Sequence, residues 1–191
     1  MTVREPGDAS KDVERIVAHL EAEGEEAQSG VDVRRAGRVH LAPIAALVRA
    51  ASDSRLEMEE SDVMEWLFSK GLWVAEDDGQ LVGVAAWQAE NLLCVTDVFY
   101  VHPLESLASA GAGLLATIEA EADTLMCEAN VVALPAWTGA AVRECLAGQG
   151  YEPKTYDELH RIWREVLSDF VEEDQDLLVK RLRDRMVMVP I

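Results

Sequence analysis

Two runs of β-forming residues, Leu72–Ala75 and Gln80–Trp87, stand on either side of Glu76-Asp77-Asp78-Gly79. Asp and Gly tolerate the positive φ of a tight reversal, so the stretch reads as a β-hairpin. A third extended run, Leu92–Val101, follows at once and stops at His102-Pro103, where proline ends ladder pairing. Antiparallel strands this close in sequence commit the chain to a sheet, and the flanking segments have to cover it.

Those segments read as follows. Val31–Ala36 is a short strand, and Leu41–Ala51 a helix with Ile44, Leu47, Val48 and Ala51 on one face. Asp62–Ser69 opens with Asp62 and Glu65 at capping-box spacing and buries Val63, Trp66 and Leu67. Downstream, Leu114, Leu115, Ile118, Ala122 and Leu125 mark a helix, and Val131–Leu134 is a buried strand closed by Pro135. Thr138–Gly148 is a further helix ended by Gly148 and Gly150. Tyr151–Tyr156 and Leu159–Val166 read as a closing strand pair. Phe170–Met186, with Phe170, Leu177, Leu178 and Leu182 on one stripe, reads as a C-terminal helix. Beyond it Val187–Val189 offers a strand to a neighbour, so a protein partner or a second copy is expected at this tail. Near the N-terminus Val13, Ile16, Val17 and Leu20 recur at helical spacing behind Ser10, a candidate cap, and an acidic linker follows. The expected fold class is α/β in the layered α+β sense. Residues 1–30 form an added helix and linker, 31–167 the domain proper, and 168–191 a helix and tail.

Composition narrows the class. With 191 residues, 49% of them hydrophobic, the chain suits one globular domain with a core. No apolar run approaches the roughly 18–20 residues of a membrane span, and no apolar leader opens the chain, so no membrane and a cytoplasmic location are expected. Three scattered cysteines point to a reducing compartment, and four scattered histidines make no metal site. The net charge of −19 repels a phosphate backbone, so nucleic acid is not expected as a partner. Gly111-Ala112-Gly113-Leu114-Leu115-Ala116 has the spacing of a dinucleotide fingerprint but lacks the parallel strand that should lead directly into it.

In order and spacing these landmarks resemble the GCN5-related N-acetyltransferase family over about Val31 to Leu167. The resemblance is carried by Val33-Arg34-Arg35-Ala36, Trp73–Trp87, Val98-Phe99-Tyr100-Val101-His102-Pro103 and Gln149-Gly150-Tyr151-Glu152-Pro153. It implies a mixed, mostly antiparallel sheet flanked by helices, and acetyl-CoA as cofactor. Phe99, Tyr100 and Val101 would then pair with the pantetheine arm. Ser106, Ser109, Ala110, Gly111, Ala112 and Gly113 would wrap the pyrophosphate with backbone N–H groups at a helix start. The family's loop runs basic-x-x-Gly-x-Gly/Ala; here Ser106 takes the basic place, Ser109 the first glycine, and Gly111 alone is kept. Between Lys70 and Arg143 there is no lysine or arginine.

For catalysis the resemblance implies a carboxylate base, and Asp97 inside an apolar strand is the first candidate, ahead of Glu76 and Glu128. The position that often carries a proton-donating tyrosine falls on Leu146, with Cys145 beside it as the candidate donor. Two functions stand open. One is an acetyl-CoA-dependent N-acetyltransferase acting on a small-molecule or protein amine. The other is an inactive acetyltransferase fold serving as a binding or structural subunit.

Overall fold

Asp78 and Gly79 take φ of 48° and 75°. Two consecutive residues at positive φ make the two-residue reversal whose twist matches the flanking strands. The turn joins β2 (Gly71–Asp77) to β3 (Gln80–Glu90), and β4 (Leu93–Val101) returns along β3. In this computed structural model, which describes residues 30–172 and 174–184, β1 (Asp32–Arg35) borders β2. Beyond β4 lie β5 (Ala129–Pro135), β7 (Gln175–Arg181) and β6 (Glu152–Lys154). The sheet is seven-stranded in the order β1-β2-β3-β4-β5-β7-β6. Every pairing is antiparallel except β4 with β5. Val31 onward forms one compact unit.

Side chains alternate across the strands, so each face has its own core. On one face α3 (Ala112–Thr124) and α4 (Ala140–Gly148) lay Leu114, Leu115, Ile118 and Leu146 over Ala75, Ala85, Phe99 and Val132. On the other, α1 (Leu41–Ala51) and α2 (Glu60–Ser69) cover Val74, Val84, Ala86 and Val98. Beside them α5 (Arg161–Leu167) covers Leu93, Val95, Val131 and Val179. Gly83 lets α3 approach closely: a Cβ there would lie 2.9 Å from Leu114 Cδ1 and 3.3 Å from the Ala75 methyl.

Several expectations are corrected. Leu159–Val166 is not a strand; residues 161–167 form α5, which buries Trp163, Val166 and Leu167 at helical spacing. Within the helix expected over Phe170–Met186, Gln175–Arg181 is instead a strand, β7, inserted between β5 and β6. A strand covered on both faces is apolar at consecutive positions, so Leu177, Leu178 and Val179 imitate a helical stripe. Gln175–Arg181 is thus part of the sheet itself and not an appendage to it. The closing strand pair uses Glu152–Lys154 alone of Tyr151–Tyr156, with Pro153 tolerated on the sheet edge. The capping box of α2 lies earlier than expected, between Glu59 and Asp62. Leu125 is 55% exposed and does not join the buried face of α3. The helix expected around Val13–Leu20 and the Val187–Val189 strand lie outside the described residues. Among the described residues no helix is long and apolar enough to cross a membrane.

Candidate active site

β4 and β5 are paired from Leu93 with Ala129 to Thr96 with Val132, and no further. Past that rung β4 stays on β3 as far as Val101, and β5 stays on β7 as far as Pro135. The two parallel strands therefore part, and their facing edges carry backbone groups outside any ladder. The direction of those groups follows from alternation. The His102 N–H donates to the Val82 carbonyl at 2.9 Å, so in the same register Val98 and Tyr100 bond to β3. Phe99 and Val101 then turn their N–H and C=O toward the gap. An extended chain of amides lying in the gap would find strand-like partners at Phe99 and Val101. Tyr100 has its backbone committed to β3, and its side chain packs against the α1/α2 core.

At the vertex of the gap the β3–β4 register slips: Ala86 faces Val98, but Trp87 faces Thr96. Asp97 is the extra residue of this bulge, a device that re-aims a side chain. Its carboxylate meets the ammonium of Lys70, where α2 runs into β2. The two side chains are 14% and 16% exposed, and Asp97 Oδ1 is buried with no hydrogen-bond partner. One oxygen is thus engaged by a primary ammonium and the other is buried without a partner. Nearby, burial and the charge of Asp97 push the Tyr100 phenol up to about 12, so it stays protonated.

The chain leaves β4 through a 3-10 turn, Leu104–Ser106, and a π-helical turn, Leu107–Gly111, that run straight into α3. Three of its amides are bonded within that coil: Ser106 N–H donates to Pro103 O, Leu107 N–H to Leu104 O, and Ala112 N–H to Ser109 O. Ser109 and Ala110 lie within the π turn, exposed and buried respectively, and Gly113 in the first turn of α3. Both glycines are explained by packing. A Cβ on Gly111 would meet Leu107 Cδ1 at 3.1 Å, Phe99 Cζ at 3.4 Å and Cys145 Sγ at 3.5 Å. One on Gly113 would meet Val33 Cγ2 at 3.0 Å. Phe99, Leu107, Gly111 and Cys145 are therefore brought together on the α3/α4 face.

Cys145 is half-buried on α4, and its thiol donates to the Leu107 carbonyl at 3.7 Å. Burial pushes the thiol up, so it stays protonated. No hydrogen bond or ion pair joins it to Asp97. Of the other carboxylates, Glu76 is clamped by Arg34 at 2.7 Å, with His40 Nε2 at 3.5 Å. Glu128 is 1% exposed, its carbonyl accepting from Leu182 N–H at 2.8 Å.

Two parts of the site escaped sequence reasoning. Lys70 ends a helix and carries no local signal of its partner. The second is a buried chain in which Thr96 donates to Asn130, Asn130 to Tyr151 and Tyr151 to Glu119, with Lys180 closing on Glu119 at 2.7 Å. Polar Thr96 and Asn130 inside apolar strands were the available sign of it.

No family model matches the sequence, and no curated protein sequence does. Solved structures do match. N-acetylglutamate synthase from Neisseria gonorrhoeae, in complex with coenzyme A and N-acetyl-glutamate, aligns with a TM-score of 0.62 at 22% identity. That alignment covers 82% of this chain and 36% of the synthase, so the chain spans about a third of that protein's length. A GNAT-family acetyltransferase from Staphylococcus aureus aligns at 0.65 and 11% identity, over 81% of this chain and 100% of its own. The PaiA N-acetyltransferase of Thermoplasma acidophilum, in complex with coenzyme A, aligns at 0.61 and 8% identity, over 80% and 99%. At these identities the likeness is one of fold.

Proposed function

We propose that this chain, whose fold is that of the GCN5-related N-acetyltransferases, transfers an acetyl group from acetyl-CoA to an amine. The observation that carries the reading is the Asp97 bulge. It sets a carboxylate at the vertex of the β4/β5 gap, already holding one primary ammonium and with its second oxygen buried and unpartnered. The edge of β4 fits the pantetheine arm, which Phe99 and Val101 would hold through their N–H and C=O groups. When bound, acetyl-CoA supplies the acetyl group as a thioester. Asp97 Oδ1 orients the acceptor amine and accepts its proton as the new bond forms, while Lys70 holds the other carboxylate oxygen. The Cys145 thiol, held protonated by burial, is a poor acid, so solvent returns the proton that the departing thiolate needs. Three unpaired cysteines support a reducing compartment, hence the cytoplasm.

The test is a panel of primary amines with acetyl-CoA, run on the parent and on Asp97→Asn. The variant should lose about 10²- to 10⁴-fold in kcat while its donor affinity stays unchanged. Activity surviving in the variant to within about threefold would remove Asp97 as the base. Donor binding with no amine turned over would instead support the binding-module reading.

A further inference from the structure

We infer that the chain grips its thioester donor by the pantetheine arm alone and leaves the phosphates of coenzyme A in solvent. The inference rests on the acetyltransferase reading and concerns how its donor is selected.

Three independent observations lead there. The first is backbone chemistry. A phosphate cradle at a helix start works through N–H groups that the helix leaves free. Here the coil begins immediately after Pro103, and three of the amides along it, those of Ser106, Leu107 and Ala112, are bonded one turn back. The second is the use of glycine. In a cradle, glycine lets a phosphate approach the backbone; at Gly111 and Gly113 the missing Cβ is replaced by Leu107, Phe99 and Cys145, and by Val33. The room that glycine creates is filled by the protein itself.

The third is charge. Strand directions put the β2–β3 turn at the same end of the sheet as the segment after β4, as the His102–Val82 bond shows. That end carries Asp77, Asp78 and Glu105. Among the described residues, Arg55 and Arg143 reach the segment after β5 at this end. Arg55 lies over the Trp137 ring at 5.4 Å. Arg143 is shared between Asp176 and the carbonyls of Ala136 and Thr138. Arg34, on β1, is taken by Glu76. Among the described residues no ion pair neutralises these acids, so a diphosphate approaching this surface meets their charge, and a net charge of −19 adds to the repulsion. The neutral amides of the pantetheine arm meet none of this.

The experiment is calorimetry of the full chain with acetyl-CoA and with S-acetylpantetheine, which lacks the nucleotide and its phosphates, at about 50 and 500 mM salt. The two dissociation constants should agree within about threefold at high salt. Lowering the salt should weaken acetyl-CoA and leave S-acetylpantetheine unchanged, because screening relieves repulsion rather than attraction. Arg143→Gln should shift neither constant relative to the other. Acetyl-CoA binding about tenfold tighter than S-acetylpantetheine, or weakening as salt rises, would overturn the inference and leave the acetyltransferase reading intact. A selective loss of acetyl-CoA in Arg143→Gln would do the same. Binding of neither donor would overturn both.

Discussion

Glu76 shows how a single side chain ties strand pairing to pH. Asp32 faces it across the β1–β2 ladder, yet its carboxylate is claimed by Arg34 at 2.7 Å, with His40 behind it. The Arg34 hydrogen bond, ahead of its charge, holds the Glu76 carboxyl below its ordinary value of 4.5. A carboxyl depressed in the folded state contributes stability that is present above the unfolded value and lost as pH falls through the folded one. Glu76→Gln should therefore lower Tm at neutral pH, and the gap to the parent should close below about pH 4.5. Thermal unfolding of both proteins from neutral to acid pH reads this directly. A gap independent of pH would mean that Glu76 acts by packing. The effect should be small, because Arg34 is 50% exposed and water competes for it. Asp97 is the opposite case at the same scale: its oxygen Oδ1 is buried without a partner. That oxygen lacks a donor which burial normally supplies, and an incoming amine would provide one.

Among the elements, β4 has two functions along its length. Its first half is paired on both sides and built into both cores through Leu93, Cys94 and Val95. Its second half, past the bulge, keeps one edge open. The rung at the boundary is held by the Thr96–Asn130–Tyr151–Glu119 chain. Burial and the Glu119 charge push the Tyr151 phenol up, so it remains a donor to that carboxylate. Tyr151→Phe would leave the Asn130 amide, 0% exposed, without its acceptor at 2.9 Å. The expected loss is about 1–3 kcal/mol in urea unfolding. A loss below about 0.5 kcal/mol would show that relaxation satisfies the amide. The elements read correctly from sequence were those specified locally: the Asp78-Gly79 hairpin, the amphipathic α1, and α4 with its terminal glycines. Misread ones, α5 and β7, are short and apolar at spacings that both periods satisfy, so burial on one face or two had to arbitrate.

For the whole molecule the consequence lies at the C-terminal end. β7 covers β5 from Ala129 to Pro135 and carries β6 on its other side. It places Leu178 in the α3/α4 core, and Leu177 and Val179 in the α5 core. Each such side chain is worth about 1.5–3 kcal/mol buried, and three together rival the roughly 5–15 kcal/mol that stabilises a whole domain. A chain ended after Ser168 should therefore show no cooperative unfolding transition by circular dichroism. A sharp transition in that truncated chain would mean that β7 is dispensable to the fold.

The sequence by itself determined the hairpin, the strand that follows it, most of the helices and the class of fold, because each is specified by neighbours within a few residues. It also exposed the loss of positive charge between Lys70 and Arg143, which is a matter of counting. Only the tertiary structure decided that Asp97 sits on a bulge against Lys70. Only there does β7 prove to be a strand of the sheet, paired on both sides, and the space at the loop glycines prove to be filled by Phe99, Val33 and Cys145. Those facts depend on register and on contacts between residues far apart in the chain. A single-residue slip in register moves a side chain to the other face, and local sequence carries no record of it.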